Sequence, residues 1–132
     1  MIIGREFHFD AAHRLPEYPG KCNRYHGHTW KLTVEVFAEI DEKTGFVMDL
    51  AELKKLVNPV LDRFDHNFLN GFQLDNGEII INPTCEILIE VIAGMLKEKL
   101  LIYNQTKSSS RPVCLYSLKL QEGVGGYARW MC

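Results

Sequence analysis

The stretch from His26 to Ala38, HGHTWKLTVEVFA, constrains the fold more than any other part of the chain. Its even positions are His26, His28, Trp30, Leu32, Val34, Val36 and Ala38, and its odd positions include Thr29, Lys31, Thr33 and Glu35. Alternation with a period of two cannot be laid on a helix, which repeats every ~3.6 residues. It defines a strand with one apolar and one polar face. Such a strand is not stable alone; it needs neighbouring strands and a layer over its apolar face.

The rest of the chain supplies both. Phe7, Phe9 and Ala11 alternate with His8 and Asp10, which predicts a first strand over Ile2 to His13. Arg14 to Tyr25, with two prolines and a glycine, reads as a long connection. Asp49, with Glu52 three residues on, makes a capping box for a helix whose apolar face is Leu50, Leu53, Val57, Val60, Leu61 and Phe64. Pro59 is expected to kink it. Asn82-Pro83 reads as a cap and first helical position. Ile87, Leu88, Val91, Ile92, Met95, Leu96 and Leu100 follow at helical spacing. KSSSRP, Lys107 to Pro112, reads as a surface loop. Val113 to Gln121 is a third strand, Gly123, Gly125 and Gly126 turn the chain, and Tyr127 to Met131 return as a fourth.

The order strand, strand, helix, helix, strand, strand predicts an α+β fold: a four-stranded antiparallel sheet with two helices on one face. At 132 residues and 46% hydrophobic, the chain is expected to form a single domain over 1–132. The second sheet face then needs cover or a partner subunit.

A net charge of −2 and the lack of a basic stripe argue against a nucleic-acid partner. No apolar run approaches the ~20 residues of a membrane span, and MIIGREFHFD does not read as a signal peptide. Cys22, Cys85, Cys114 and Cys132 form no CxxC pair, which points to a reducing, cytoplasmic setting.

Several side chains could carry chemistry. His26 and His28 project from one strand face, and the connection after His13 could return that residue to their side. Three imidazoles and an open position describe a catalytic zinc site. With Cys22 as a fourth donor, the same residues describe a closed structural zinc site; without metal, they are a histidine pair packed against Trp30. A Cys22 that stays off the metal, near Lys21 or Arg24, is instead a general base whose thiolate is favoured by positive charge. Asp65-His66 is either an oriented proton-transfer pair or a surface dipeptide at a helix end. Glu122 is either a strand-end charge or a carboxylate matched to two parallel N–H donors of a heterocycle. Thr84 and Glu86 have an ordinary role in the first turn of a helix. The glycines of GVGG do not follow a strand and open a helix, which excludes a dinucleotide fingerprint.

FDAAHRLP, CNRYHGH, GFVMDLAELK, FDHNFLN, NPTCE and LQEG occur in this order across nearly the whole chain. Together they resemble the 6-pyruvoyltetrahydropterin and 6-carboxytetrahydropterin synthases. The resemblance implies the tunnelling fold, with a ββααββ subunit, trimers that close a barrel or stack as dimers of trimers, and active sites between subunits. It implies one Zn²⁺ per subunit on His13, His26 and His28, Cys22 as catalytic thiol, and Asp65 and His66 as its proton-transfer partners. It also implies that Glu122 anchors a pterin ring, with Thr84 and Glu86 near the pocket. Arg14, Lys21 and Arg24, in the loop leading to the histidines, are candidates for a substrate triphosphate. Three residues separate Cys22 from His26. That spacing resembles the 6-carboxytetrahydropterin branch, which supplies queuosine synthesis from 7,8-dihydroneopterin triphosphate, releasing triphosphate and acetaldehyde. The pyruvoyl branch acts on the same substrate, and a non-catalytic zinc-stapled module is the alternative of another class.

Overall fold

The structure is a computed structural model that describes residues 1–107 and 111–132; residues 108–110, within the expected KSSSRP loop, lie outside the described residues. Strands β1 (Ile2–His13) and β2 (His26–Phe37) pair antiparallel along their full lengths. β6 (Cys114–Glu122) pairs with β2, and β7 (Gly126–Met131) with β6, both antiparallel. Helices α1 (Leu50–Leu61) and α2 (Cys85–Lys107) lie between β2 and β6 in sequence. The α+β class and the largely antiparallel sheet therefore hold.

The sheet differs from expectation in one respect. It has five strands, in the order β3-β1-β2-β6-β7, because the two-residue β3 (Asn67–Phe68) joins β1 in parallel. Two residues are too few for a periodicity to appear in sequence. A second small sheet, β4 (Phe72–Gln73) with β5 (Ile79–Ile80), occupies the connection between the helices.

The alternation in β2 does what period two requires. Trp30, Leu32, Val34 and Val36 are buried on one face, with Phe7, Phe9 and Ala11 of β1 beside them. β6 changes phase midway: both Leu115 and Leu118 are buried, since a register irregularity opposite Glu35 and Val36 leaves Tyr116 as an extra residue. Ser117, buried at this irregularity, donates its hydroxyl to the Glu35 carboxylate. α1 contributes Leu53, Val57, Val60 and Leu61 to the core, and α2 contributes Leu88, Ile89, Ile92, Ala93, Leu96 and Leu100.

Three local expectations are corrected. Asp49 caps α1 by accepting from the Ala51 N–H at 2.7 Å, but Glu52 closes no capping box; it pairs with Lys55 and Lys107. Pro59 lies in the last turn of α1, so the helix ends two residues later, where little helix remains for a kink to redirect. The cap of α2 is Thr84 and not Asn82: the Thr84 hydroxyl accepts from the Ile87 N–H and its carbonyl from Leu88. Pro83 thereby falls outside the helix, and its carbonyl is used elsewhere.

Candidate metal centre and adjoining cleft

Strand register builds the centre. Pairing β1 with β2 sets His13 opposite His26 and Ala11 opposite His28, so the three imidazoles meet at one end of the sheet. Pairing β2 with β6 sets Glu122 opposite Trp30, diagonal to His28 on the same face. The ligand atoms of His13, His26, His28 and Glu122 all lie within 4.8 Å of one another. Trp30 is the floor: its ring meets His13 and His28 edge-on, with centroids 5.2 and 5.6 Å away. Packing against Trp30 and clustering of the histidines, alternatives in the sequence, are thus both present.

Two carbonyls orient the rings. His13 Nδ1 lies 2.8 Å from the Pro83 carbonyl, and His26 Nδ1 lies 2.7 Å from that of Arg24. A carbonyl only accepts, so in both rings Nδ1 carries the proton and Nε2 presents a lone pair. Nε2 of His13 sits 2.9 Å from Glu122 Oε1, and Nε2 of His28 sits 3.3 Å from it. Both nitrogens are buried and have no hydrogen-bond partner. Lone pairs of nitrogen and oxygen thus converge on one point, an arrangement that is repulsive until a cation occupies it. The His28 pKa agrees: burial lowers it and so favours the neutral ring, with Glu122 opposing and His13 and His26 adding to the effect. With the proton on His13 Nε2 instead, a hydrogen bond from that ring lowers the Glu122 pKa. The donor set, three imidazoles and a carboxylate, suits zinc.

Cys22 is not in this cluster. It lies in a single 3₁₀ turn, Lys21–Asn23, half-buried, with Lys21 and Arg24 exposed beside it. The Cys22 carbonyl accepts from the Leu15 N–H at 2.8 Å, which folds the connection back on itself. The Arg14 guanidinium lies over the Tyr25 ring, and its main chain is held by Asn70, which donates to the Arg14 carbonyl and accepts from its N–H.

Asp65 and His66 follow α1 in a turn. His66 Nδ1 lies 2.8 Å from Asp65 Oδ2, the oriented arrangement. The Asp10 N–H donates to Asp65 Oδ1 at 2.8 Å, which lowers the Asp65 pKa; the Asp65 carboxylate in turn raises that of His66. His66 and His28 line one open cleft of about 630 Å³, with Asp10, Ala11, Ala12, Gly27, Thr29, Asn67 and Phe68. His28 is the member of the histidine cluster, and His66 the proton-transfer candidate, that line this cleft. Thr84 is engaged as the cap of α2, and Glu86 is exposed in its first turn; neither joins the cluster. Sequence reasoning missed Pro83, Asn70 and Asp10, because a carbonyl or a main-chain clamp has no sequence signature. The proline before Thr84 was the one available hint.

An α+β sheet that gathers three histidines and a glutamate at one end, with an Asp–His pair in the turn after α1, describes a class of proteins with a site that could hold a metal ion. Within it, this chain belongs to the 6-pyruvoyl tetrahydropterin synthase family, whose sequence model matches residues 2–131. A 6-carboxy-5,6,7,8-tetrahydropterin synthase from Synechocystis sp. is 36% identical over 101 residues, covering 74% of this chain and 75% of the relative. A dihydroneopterin monophosphate aldolase from Pyrococcus furiosus is 38% identical over 94 residues, covering 70% and 71%. The 6-pyruvoyl tetrahydropterin synthase of Caenorhabditis elegans superposes with a TM-score of 0.81 at 28% identity, covering 100% of this chain and 95% of the other.

Proposed function

We propose that this chain is a zinc-dependent lyase that converts 7,8-dihydroneopterin triphosphate to 6-carboxy-5,6,7,8-tetrahydropterin, releasing triphosphate and acetaldehyde. The observation that carries the reading is the convergence of His13, His26, His28 and Glu122, with the buried Nε2 atoms of His13 and His28 making no hydrogen bond. The three residues between Cys22 and His26, and the Synechocystis relative, support the carboxy branch. The domain spans 1–132 and assembles as a trimer or dimer of trimers of the tunnelling fold, in the cytoplasm.

In this reading, His13, His26 and His28 would hold a zinc ion, which when bound would supply Lewis-acid polarisation of substrate oxygens and so favour loss of the neighbouring carbon-bound proton. Cys22, as thiolate, removes that proton. His66, with Nδ1 tied to Asp65, presents Nε2 to the cleft and moves protons on the other side. Glu122 turns from the histidines to the substrate and accepts the pterin's amino and ring N–H donors. Arg14, Lys21 and Arg24 attract the triphosphate, and Thr84 and Glu86 border the pterin pocket.

Two other reactions of the family have support. The family description and the nematode structure support a 6-pyruvoyl product, and the Pyrococcus relative supports an aldolase. Mass spectrometry of the zinc-loaded protein's product from 7,8-dihydroneopterin triphosphate separates them. The 6-carboxy compound with acetaldehyde is expected; a 6-pyruvoyl or 6-hydroxymethyl product overturns the reading. Cys22→Ala should keep zinc and lose at least ~10²-fold in kcat, the smaller end of a proton-transfer contribution. Loss of zinc in that variant would instead make Cys22 a structural ligand.

A further inference from the structure

His66 has φ 57°, the only positive value outside glycine among the described residues. An L-residue holds that left-handed conformation only when its surroundings impose it. Here the surroundings are Asp10 and its strand. The His66 N–H donates to the Asp10 carbonyl at 2.5 Å, and the Asp10 N–H donates to Asp65 Oδ1 at 2.8 Å. The clamp continues through β3, with Leu69 N–H donating to the Ala12 carbonyl at 2.9 Å. The main chain of Asp10 therefore grips both members of the pair.

Its side chain is also committed. Asp10 Oδ1 accepts from the Thr29 hydroxyl at 2.5 Å, and both residues line the cleft that His66 enters. Thr29 adjoins His28 on β2, so one short chain of bonds runs from the strand of the histidine centre to the Asp–His turn. The titratable groups around His66 are Asp65, bonded to its Nδ1, and Asp10 from β1 and His28 from β2, which line the same cleft; Thr29, Asn67 and Phe68 there are uncharged. Asp10 is thus the carboxylate from another element that lines this cleft with His66, and its charge favours imidazolium, less strongly than that of Asp65.

We propose that Asp10 is a positioning residue for the reaction, holding the Asp65–His66 pair in its strained turn through its main chain and supplying, through a carboxylate fixed by Thr29, a second negative charge opposite His66. This rests on the proton-transfer role given to His66 above.

Asp10→Asn separates the two contributions. It keeps the main-chain clamp and an oxygen for Thr29, and removes the charge. On zinc-loaded protein, the His66 Cε1–H resonance is followed against pH. The midpoint should move to lower pH in Asp10→Asn and return towards the wild-type value in Asp10→Glu. With substrate, kcat should fall about tenfold, within the ~10²-fold range of a misplaced catalytic geometry, with KM nearly unchanged. An unchanged midpoint and kcat in Asp10→Asn overturns the proposal. If that variant fails to fold, Thr29→Val, which unties the carboxylate without touching the clamp, should lower kcat and move the midpoint; no change in either overturns it equally. The titration needs no substrate, so it tests Asp10 even if the product proves different. A different product with the titration shift intact would count against the proposed reaction alone.

Discussion

Glu122 stands between two roles at the residue scale. Its Oε1 lies against His13 and His28, so it completes the cation centre as the chain stands, while the pterin reading needs it turned to the substrate. The two roles give opposite results in Glu122→Ala. If Glu122 is the pterin anchor, zinc measured by elemental analysis stays stoichiometric. Pterin affinity by calorimetry then falls by about 2–5 kcal/mol, the cost of leaving buried donors unpaired, or roughly 30-fold or more. If it is a fourth ligand, zinc is lost first. Acid should weaken the metal-free centre in both groups. Glu122 has a lowered folded pKa, so its contribution is complete above the ordinary carboxylate value of 4.5 and disappears as pH falls through the folded value. His28 also has a lowered pKa; protons bind its unfolded form more readily, so stability drops as pH falls below 6.5. Thermal melting of the metal-free protein should therefore begin to fall below pH 6.5 and fall again below 4.5, with the second loss reduced in Glu122→Gln.

β2 couples the core to the centre at the scale of elements. Trp30 is fully buried, stacks on Phe9 with centroids 6.0 Å apart, and donates its Nε1–H to the Ala11 carbonyl at 3.3 Å. The same ring supports His13 and His28. Trp30→Ala should cost about 3–5 kcal/mol of stability, as for other large-to-small core changes. It should also weaken zinc binding, because the imidazoles lose the surface that fixes their tilt. Leu53→Ala in α1 should cost about 2–5 kcal/mol and leave zinc affinity unchanged, since Leu53 is a buried core residue outside the histidine–Glu122 cluster and makes none of the ring contacts of the histidines. Denaturant unfolding and zinc titration on both variants check this; equal zinc affinity in Trp30→Ala would show that the rings are held by the Pro83 and Arg24 carbonyls alone.

At the scale of the whole molecule, one sheet face has no covering layer among the described residues. Glu6, His8 and Asp10 of β1, Thr29 of β2 and Tyr127 of β7 are exposed, and Lys31 pairs with Glu6 across that face. β7 is an edge strand with Tyr127 and Met131 exposed. An unpaired edge of this kind is a template for a further strand. Light scattering at micromolar concentration should therefore report an oligomer, in agreement with a barrel closed between subunits. A monomeric mass would remove the support for sites shared between copies. No helix among the described residues is long and apolar enough to cross a membrane.

What the sequence by itself determined was the periodic part. Strands β1 and β2, the apolar faces of α1 and α2, and the α+β order follow from repeats of two and ~3.6, which are local properties of the chain. The identity of the ligating histidines was legible for the same reason, since an HxH on a strand shares a face. Tertiary structure alone decided what those residues meet. Register brought His13 opposite His26 and carried Glu122 to them from 94 residues beyond His28, a separation no periodicity reports. It set Thr84 as the cap of α2 and so released the Pro83 carbonyl to orient His13. It added β3, two residues long, and with it the grip of Asp10 on Asp65 and His66. These contacts run through main-chain groups that every residue carries, so side-chain identity in the sequence cannot announce them; only the folded path of the chain selects which are used.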